Sequence, residues 1–203
     1  METKTLSSAI KKIAISYIFI YFSINIVVFD ILPDWLGYFM IVSALPILSE
    51  NDQSAQLLRP FGVALGIWNI IEWALKITGT QWNFTLISLI LSIITIYLHF
   101  QLITNIANLD IEQPKRKRLL LLRTIIVILH TILNLWLFIP KNLFDEEIYA
   151  YIIMFMSVPQ AILCFWIAGE LFELSKKMKE KEFEVSEITE SIEKLSESET
   201  DIE

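Results

Sequence analysis

The chain has 203 residues, of which 55% are apolar and 19% charged, and it carries a net charge of −7. Soluble domains average about a quarter charged residues, and here the charges cluster at a few points between long apolar runs, which indicates a membrane protein. One cysteine, Cys164, excludes an internal disulfide and a zinc–cysteine cluster. Residues 173–203 hold eleven acids and five lysines, a net charge of −6, so the acidity belongs to this segment and not to an active site.

Six apolar stretches separated by short polar segments predict six transmembrane helices. About 20 apolar residues, at 1.5 Å each, cross a hydrocarbon core of about 30 Å. In chain order, the predicted spans cover residues 10–29, 33–48, 60–77, 84–109, 119–139 and 148–171. Lys11 and Lys12 precede the first stretch as in a signal peptide, but the apolar run is too long and no small-residue cleavage site follows. We therefore predict an all-α, six-helix transmembrane bundle that retains its first span.

The positive charges predict that both ends of the chain are cytoplasmic, because basic residues concentrate in cytoplasmic loops. With six spans, one side holds Lys4, Lys11, Lys12, Arg59, Lys115, Arg116, Lys117, Arg118, Lys176, Lys177, Lys179 and Lys181. The other side holds only Lys141, with Lys76 near the end of the third span. If residues 33–48 formed a re-entrant loop instead, every later segment would change sides. In the six-span arrangement the outer interface receives Trp35, Trp73, Trp82 and Trp136.

Between the first two spans lies Asp30-Ile-Leu-Pro-Asp-Trp-Leu-Gly37, which predicts a tight extracellular hairpin. Pro33 suits the start of a helix, and Asp34 complements the positive end of that helix. Trp35 is typical of a membrane interface. The alternative is a ligand site at the outer surface formed by Asp30, Asp34 and Trp35.

The segment Leu32-Pro-Asp-Trp-Leu-Gly-Tyr38, between two apolar spans, resembles the LPDxxGY signature of small multi-pass membrane proteins from low-GC Gram-positive bacteria. The resemblance covers about 30 residues at the first hairpin. It implies location in a bacterial cytoplasmic membrane. The family has no assigned activity, so the resemblance implies no catalytic residues.

Three ionisable residues, Glu72, His99 and His130, fall at similar depths near the middle of their spans. Because an ionisable group at mid-bilayer costs about 2.5–3.5 kcal/mol, such residues suggest a proton relay or a ligand site. Further polar residues of this candidate site are Asn69, Asn134 and Gln160. A structural explanation is open for each: Glu72 precedes Lys76 by four residues, and the histidines can form hydrogen bonds between helices.

Two other features concern packing and the inner surface. Gly62 and Gly66 form a GxxxG spacing, which predicts a close helix–helix contact, and Pro159 predicts a kink in the last span. The cluster of Lys115, Arg116, Lys117 and Arg118 marks the cytoplasmic side and is a candidate contact for anionic lipid headgroups.

The acidic segment 173–203 continues a 3-4 spacing of apolar residues. The members are Leu171, Leu174, Met178, Val185, Ile188, Ile192 and Leu195, interrupted at Lys181. This pattern predicts a cytoplasmic helix that self-associates as a short coiled coil over residues 171–195. A partly disordered tail is the alternative, and we expect disorder from Ser196 onward.

No catalytic motif is present: the chain lacks HExxH, GxSxG and a phosphate-binding glycine loop. We expect no enzymatic activity, no cofactor, no metal site and no nucleic acid, with the lipid bilayer as the main partner. The favoured function is a non-enzymatic sensor, regulator or assembly component. The alternative is a small transporter or substrate-binding subunit using Glu72, His99 and His130. It would be similar in size to the vitamin-binding subunits of energy-coupling-factor transporters, but their AxxxA coupling motif is not evident.

Overall fold

A computed structural model describes residues 5–21, 25–26, 29–30, 33–79, 85–109, 111–137 and 145–200. Within these ranges the chain forms six α-helices: α1 (Leu6–Tyr21), α2 (Asp34–Ser49), α3 (Arg59–Ile77), α4 (Thr85–Ala107), α5 (Gln113–Leu137) and α6 (Glu146–Thr200). A 3-10 helix, Gln53–Leu58, joins α2 to α3. Strands β1 (Asn25–Ile26) and β2 (Phe29–Asp30) pair antiparallel between α1 and α2. The predicted all-α class is confirmed.

The first predicted span, 10–29, is wrong at its end. Helix α1 stops at Tyr21, and a hairpin follows in which Asn25 pairs with Asp30 and Ile26 with Phe29. The segment reads Phe-Ser-Ile-Asn-Ile-Val-Val-Phe over residues 22–29, and its β-branched residues favour strands over helix. Helix α1 therefore has 16 residues, about 24 Å in length.

Helix α6 is longer than predicted. Its 55 residues run from Glu146 without interruption to Thr200, past the predicted end of the span at residue 171. The helix continues beyond Ser196, which differs from the disorder expected there. The membrane-proximal and acidic segments thus form one continuous element.

Helix α1 lies at the centre of the bundle, packed against α2 and α6. Its residues at helical spacing, including Ile10, Ile13 and Tyr17, are almost completely buried. Gly37 of α2 permits the close contact: a Cβ added there would lie 2.8 Å from the backbone oxygen of Ser16 and 2.6 Å from Ile20 Cγ1. Any larger residue would force the two helices apart.

The GxxxG pair of α3 faces α2. A Cβ at Gly62 would lie 2.7 Å from Val42 Cγ2, and one at Gly66 would lie 3.1 Å from Phe39 Cζ. The larger side chains of α2 occupy the space that the two glycines leave open. Helix α4 then packs on α5, and α5 on α6.

Three helices are long and apolar enough to cross a membrane: Leu86–Ala107, Gln113–Trp136 and the apolar part of Glu147–Ile192. Less than a quarter of each apolar window is buried within the protein. Large apolar side chains point outward, among them Leu135, 64% exposed, and Phe155, 79% exposed. Soluble monomers rarely present so extensive an apolar surface, whereas a hydrocarbon solvent suits it.

The remaining helices are shorter or more polar. Helices α1 and α2 have 16 residues each, and the 19-residue α3 contains Arg59, Glu72 and Lys76. The structure therefore presents three candidate membrane spans, and the predicted count of six remains a prediction.

The two ends of the bundle differ in chemistry. A polar end is defined by hydrogen bonds and ion pairs among Ser7, Ser54, Asn105, Lys115, Glu173 and Ser175. An aromatic end is defined by two ring pairs, Trp35 with Trp73 at 6.5 Å and Trp136 with Tyr149 at 6.1 Å between centroids. Consecutive helices meet at alternating ends, so neighbours along the chain run antiparallel.

Candidate functional site

His99 lies in an aromatic cluster formed by α1, α2 and α4. Its ring is 4% exposed, and Nδ1 lies 3.1 Å from the hydroxyl of Tyr17. The rings of Tyr17, Tyr21 and Tyr38 surround it at 5.2, 5.5 and 6.5 Å between centroids. Tyr17 and Tyr21 are four residues apart and so share one face of α1. His99 Nε2 is buried and makes no hydrogen bond within the described part of the chain.

His130 contacts a different partner, on α6. Gln160 Nε2 lies 3.0 Å from His130 Nδ1, and the amide donates to the ring nitrogen. The neutral ring then carries its proton on Nε2. Gln160 is 7% exposed and follows Pro159, the only proline within α6. This side-chain contact joins α5 to α6.

Glu72 is bonded within its own helix. Its Oε1 accepts a hydrogen bond of 2.7 Å from Trp68 Nε1, one turn earlier on α3. The predicted ion pair with Lys76 is not found among the ion pairs of the described residues. Trp68 precedes Glu72 by four residues, whereas Lys76 follows it by four, and the indole N–H of Trp68 is the donor to the carboxylate.

The predicted polar site is thus divided among three sets of contacts. No hydrogen bond or ion pair within the described ranges joins any two of Glu72, His99 and His130. Asn69 and Asn134 donate to backbone carbonyls of their own helices, at Leu65 and His130. Among the described residues, no group of three or more His, Cys, Asp or Glu side chains is placed to hold a metal ion.

The candidate outer-surface residues lie on two elements. Asp34 occupies the first turn of α2, and Trp35 contacts Trp73 and Phe39 through its ring. Asp30 pairs through its backbone with Asn25 in the hairpin, and its side chain lies outside the described residues. Trp35 therefore packs α2 on α3.

The basic cluster at the start of α5 is joined to α6 by ion pairs that the sequence analysis missed. Lys115 Nζ lies 2.7 Å from Glu173 Oε1, and Arg118 Nη1 lies 2.8 Å from Glu170 Oε1. A sequence signal existed, since Glu170 and Glu173 are three residues apart and share one face of α6. Arg116 donates to Asn108 Oδ1 at 3.3 Å.

These pairs have electrostatic consequences at the end of the bundle. The ammonium of Lys115, itself 7% exposed, holds the pKa of the Glu173 carboxyl below its ordinary value through a hydrogen bond and charge attraction. The Glu170 carboxylate is buried, and its Oε1 accepts hydrogen bonds from Arg118 Nη1 and from Trp166 Nε1. A third pair, Lys177 with Glu112 at 3.1 Å, links α6 to the residue before α5.

Comparisons with models of protein families, with curated proteins and with solved structures find no match for this chain. The fold and its surface define an all-α protein with three helices that could span a membrane. The family resemblance at Leu32–Tyr38 remains a prediction from the motif alone.

Proposed function

We propose that the protein is a non-enzymatic assembly or regulatory component of a bacterial cytoplasmic membrane, acting by pairing of the distal half of α6 with a second copy. The observation that carries this proposal is the continuity of α6, which extends beyond the bundle as a helix with an exposed apolar face. Location in a bacterial membrane rests on the motif resemblance. The absence of a recognisable catalytic motif supports the non-enzymatic assignment.

The apolar stripe of α6 divides into two parts. Leu171, Leu174 and Met178 are buried in the bundle, so they are not available for association. Val185 and Ile188, which continue the same spacing, are 63% and 60% exposed. The predicted self-association segment 171–195 is therefore shortened to its distal part.

The distal stripe suits a second copy of the same helix. Val185, Ile188 and Ile192 follow 3-4 spacing, the pattern of apolar residues along a coiled-coil seam. The acids Glu187 and Glu190 fall outside the seam and its flanking positions, so two copies would not place these charges opposite one another. We name this apolar face, Val185, Ile188 and Ile192, the distal seam.

Disulfide cross-linking in native membranes tests the pairing. In a Cys164→Ala background, Ile188→Cys is expected to give a covalent dimer on mild oxidation, because the seam brings equivalent positions together. Glu187→Cys, one residue away on the outer face, is the matched control and should remain monomeric. Equal cross-linking of both variants, or of neither, would contradict pairing through the distal seam. If Ile188→Cys formed cross-links only to a different protein, that result would also contradict pairing with a second copy.

We also propose six spans, with the polar end cytoplasmic. The basic residues Lys11, Arg59 and Lys117 belong to segments at the polar end, and two aromatic pairs lie at the other. The short α1 and α2 lie against each other, with α1 covered further by α6, while the longer helices present the outward apolar surface.

Labelling of introduced cysteines by a membrane-impermeant thiol reagent tests this orientation. In the same Cys164→Ala background, Thr78→Cys, at the end of α3, should react in intact cells. Asn51→Cys, in the turn after α2, should react only after lysis. The reverse pattern would refute the orientation, and reaction of both positions in intact cells would refute the third span.

A further inference from the structure

A cavity of about 460 Å³ lies at the polar end, between the first turns of α1 and the part of α6 that passes them. Three lysines line it: Lys11 from α1, and Lys176 and Lys179 from α6. Lys176 and Lys179 are three residues apart and share one face of the helix. The hydroxyls of Thr5 and Ser8 belong to the same lining.

These lysines differ from the other basic residues of this end. Lys115, Arg118 and Lys177 are neutralised by Glu173, Glu170 and Glu112. The cavity lysines are exposed and form no ion pair within the described part of the chain. Their positive charges therefore remain available to a ligand.

One carboxylate, that of Glu182, also lines the cavity. It accepts a hydrogen bond of 3.1 Å from the backbone N–H of Ser7, at the start of α1. Three ammonium groups against one carboxylate leave the cavity with a net positive charge. A small anion is the ligand that this charge favours.

The frame of the cavity is fixed by reciprocal hydrogen bonds. Ser7 Oγ donates to the carbonyl of Ser175 at 2.8 Å, and Ser175 Oγ donates to the carbonyl of Ser7 at 2.9 Å. Both serines are buried. Because α1 and α6 are held together at this point, the lysines are brought to the cavity before any ligand arrives.

We propose that this cavity binds a phosphate group of net negative charge, which the three lysines and the nearby hydroxyls contact. Two sources can supply it, an anionic phospholipid or free phosphate. Phe172 lines the cavity, and Phe165, seven residues earlier on the same face of α6, is 47% exposed. An apolar path thus leads from the cavity along the apolar part of α6, as the acyl chain of a lipid requires.

Native mass spectrometry of the full-length protein in detergent tests the proposal. The probes are phosphatidylglycerol, phosphatidylcholine and inorganic phosphate, each titrated separately. The wild type is expected to bind phosphatidylglycerol about tenfold more tightly than phosphatidylcholine. The variant K11Q/K176Q/K179Q should bind phosphatidylglycerol about tenfold or more weakly than the wild type. K11R/K176R/K179R, which keeps the charges, should retain binding.

The matched control is R59Q/R116Q/K117Q, which removes three positive charges near the same end but outside the cavity. It should bind phosphatidylglycerol within about twofold of the wild type. Equal loss in both Gln variants, or no loss in either, would overturn the cavity as the site. Competition by inorganic phosphate would identify a site that also takes the free ion. Lipid binding without such competition would identify the lipid as the source.

A single substitution provides the same comparison if the triple variant does not fold. Lys179→Glu changes an exposed position of α6 and should reduce phosphatidylglycerol binding, whereas Lys117→Glu should leave it within about twofold. Binding of phosphatidylglycerol and phosphatidylcholine with equal affinity by the wild type would also overturn the proposal.

Discussion

The hydroxyl of Tyr17 and Nδ1 of His99 join α1 to α4 inside the aromatic cluster. Both residues are almost fully buried, so if one partner is removed, the other cannot form a hydrogen bond with bulk water instead. When one partner of a buried hydrogen bond is removed, the other retains its desolvation cost, typically about 1–3 kcal/mol. This contact therefore provides a measurable test of the arrangement around His99.

Tyr17→Phe is expected to lower the free energy of unfolding by about 1–3 kcal/mol, because His99 Nδ1 loses its partner in a buried position. Thermal unfolding in detergent micelles measures the change. Tyr97→Phe removes a hydroxyl from a ring that is 44% exposed and serves as the control, with little expected change. Equal effects of the two substitutions would show that the hydroxyl of Tyr17 makes no special contribution.

Gly37→Ala should be destabilising by about 1–3 kcal/mol, since the added Cβ would lie 2.8 Å from a backbone oxygen of α1. A flexible side chain can move away, but this backbone atom moves only with the helix. Gly169→Ala is the matched control: no atom lies within 4 Å of its added Cβ, and alanine in a helix is favoured by about 0.5–1 kcal/mol. Comparable unfolding temperatures for the two variants would contradict the close approach of α1 and α2.

At the scale of elements, the junction of α5 and α6 depends on charge. The pKa of Glu173 is lower in the folded protein than in the unfolded chain, where it is about 4.3. A lowered pKa means that the carboxylate stabilises the fold above the unfolded value. That contribution is lost as pH falls through the folded value.

The unfolding temperature of wild type should therefore exceed that of Glu173→Gln at pH 7, and the difference should shrink as pH falls below about 4. Thermal unfolding at a series of pH values in one detergent measures it. Glu187→Gln, which removes an acid without a partner in the ion pairs of the described residues, should give a small difference throughout. A difference for Glu173→Gln that grows on acidification would contradict the Lys115–Glu173 pair.

The helices that could be predicted from the sequence are those whose apolar composition alone determines their structure. Long apolar runs predicted α4, α5 and the membrane-proximal part of α6, because the pattern of such helices is local. The hairpin at Asn25–Asp30 was missed since its residues are as apolar as a span, and only their β-branching distinguishes them. The glycines of α3 were recognisable from spacing, but their partners on α2, Val42 and Phe39, were not.

Side-chain partners were less accessible to prediction. The contact between Tyr17 and His99 joins residues 82 positions apart, and nothing in one sequence links them. The pairs of Glu170 and Glu173 were open to recognition, because these two acids lie at the end of the last predicted span on one helix face and the basic cluster lies on the same predicted side. The Glu72–Lys76 pair failed because helical spacing permits an ion pair without requiring it.

At the scale of the whole molecule, the bundle and the part of α6 beyond Glu182 differ in their contacts. Ser7 and Ser175 join α1 to α6, and Glu182 caps the first turn of α1, whereas Val185 and Ile188 are exposed. A chain ending at Glu182 should keep an unfolding temperature within about 2 °C of the wild type and should lose the proposed dimer, because the removed apolar residues Val185, Ile188 and Ile192 are exposed on their own bundle. A chain ending at Leu174 loses the serine contact and should unfold at clearly lower temperature. Thermal unfolding, with size-exclusion chromatography for oligomeric state, checks both.

The burial of Met178 has a consequence for the shape of the proposed dimer. Met178 is buried in the bundle, and the same 3-4 spacing continues from it into the distal seam, so one face of α6 serves an internal contact and an external one. Two copies joined through Val185, Ile188 and Ile192 cannot remain paired toward Met178, because Met178 is already buried within its own bundle. The proposed dimer is then forked: the distal parts of the two α6 helices, the stems, are paired, and the two bundles are separate. The point at which the stems part therefore lies next to the lysine-lined cavities, since Lys179 and Glu182 line each cavity and immediately precede the distal seam on α6.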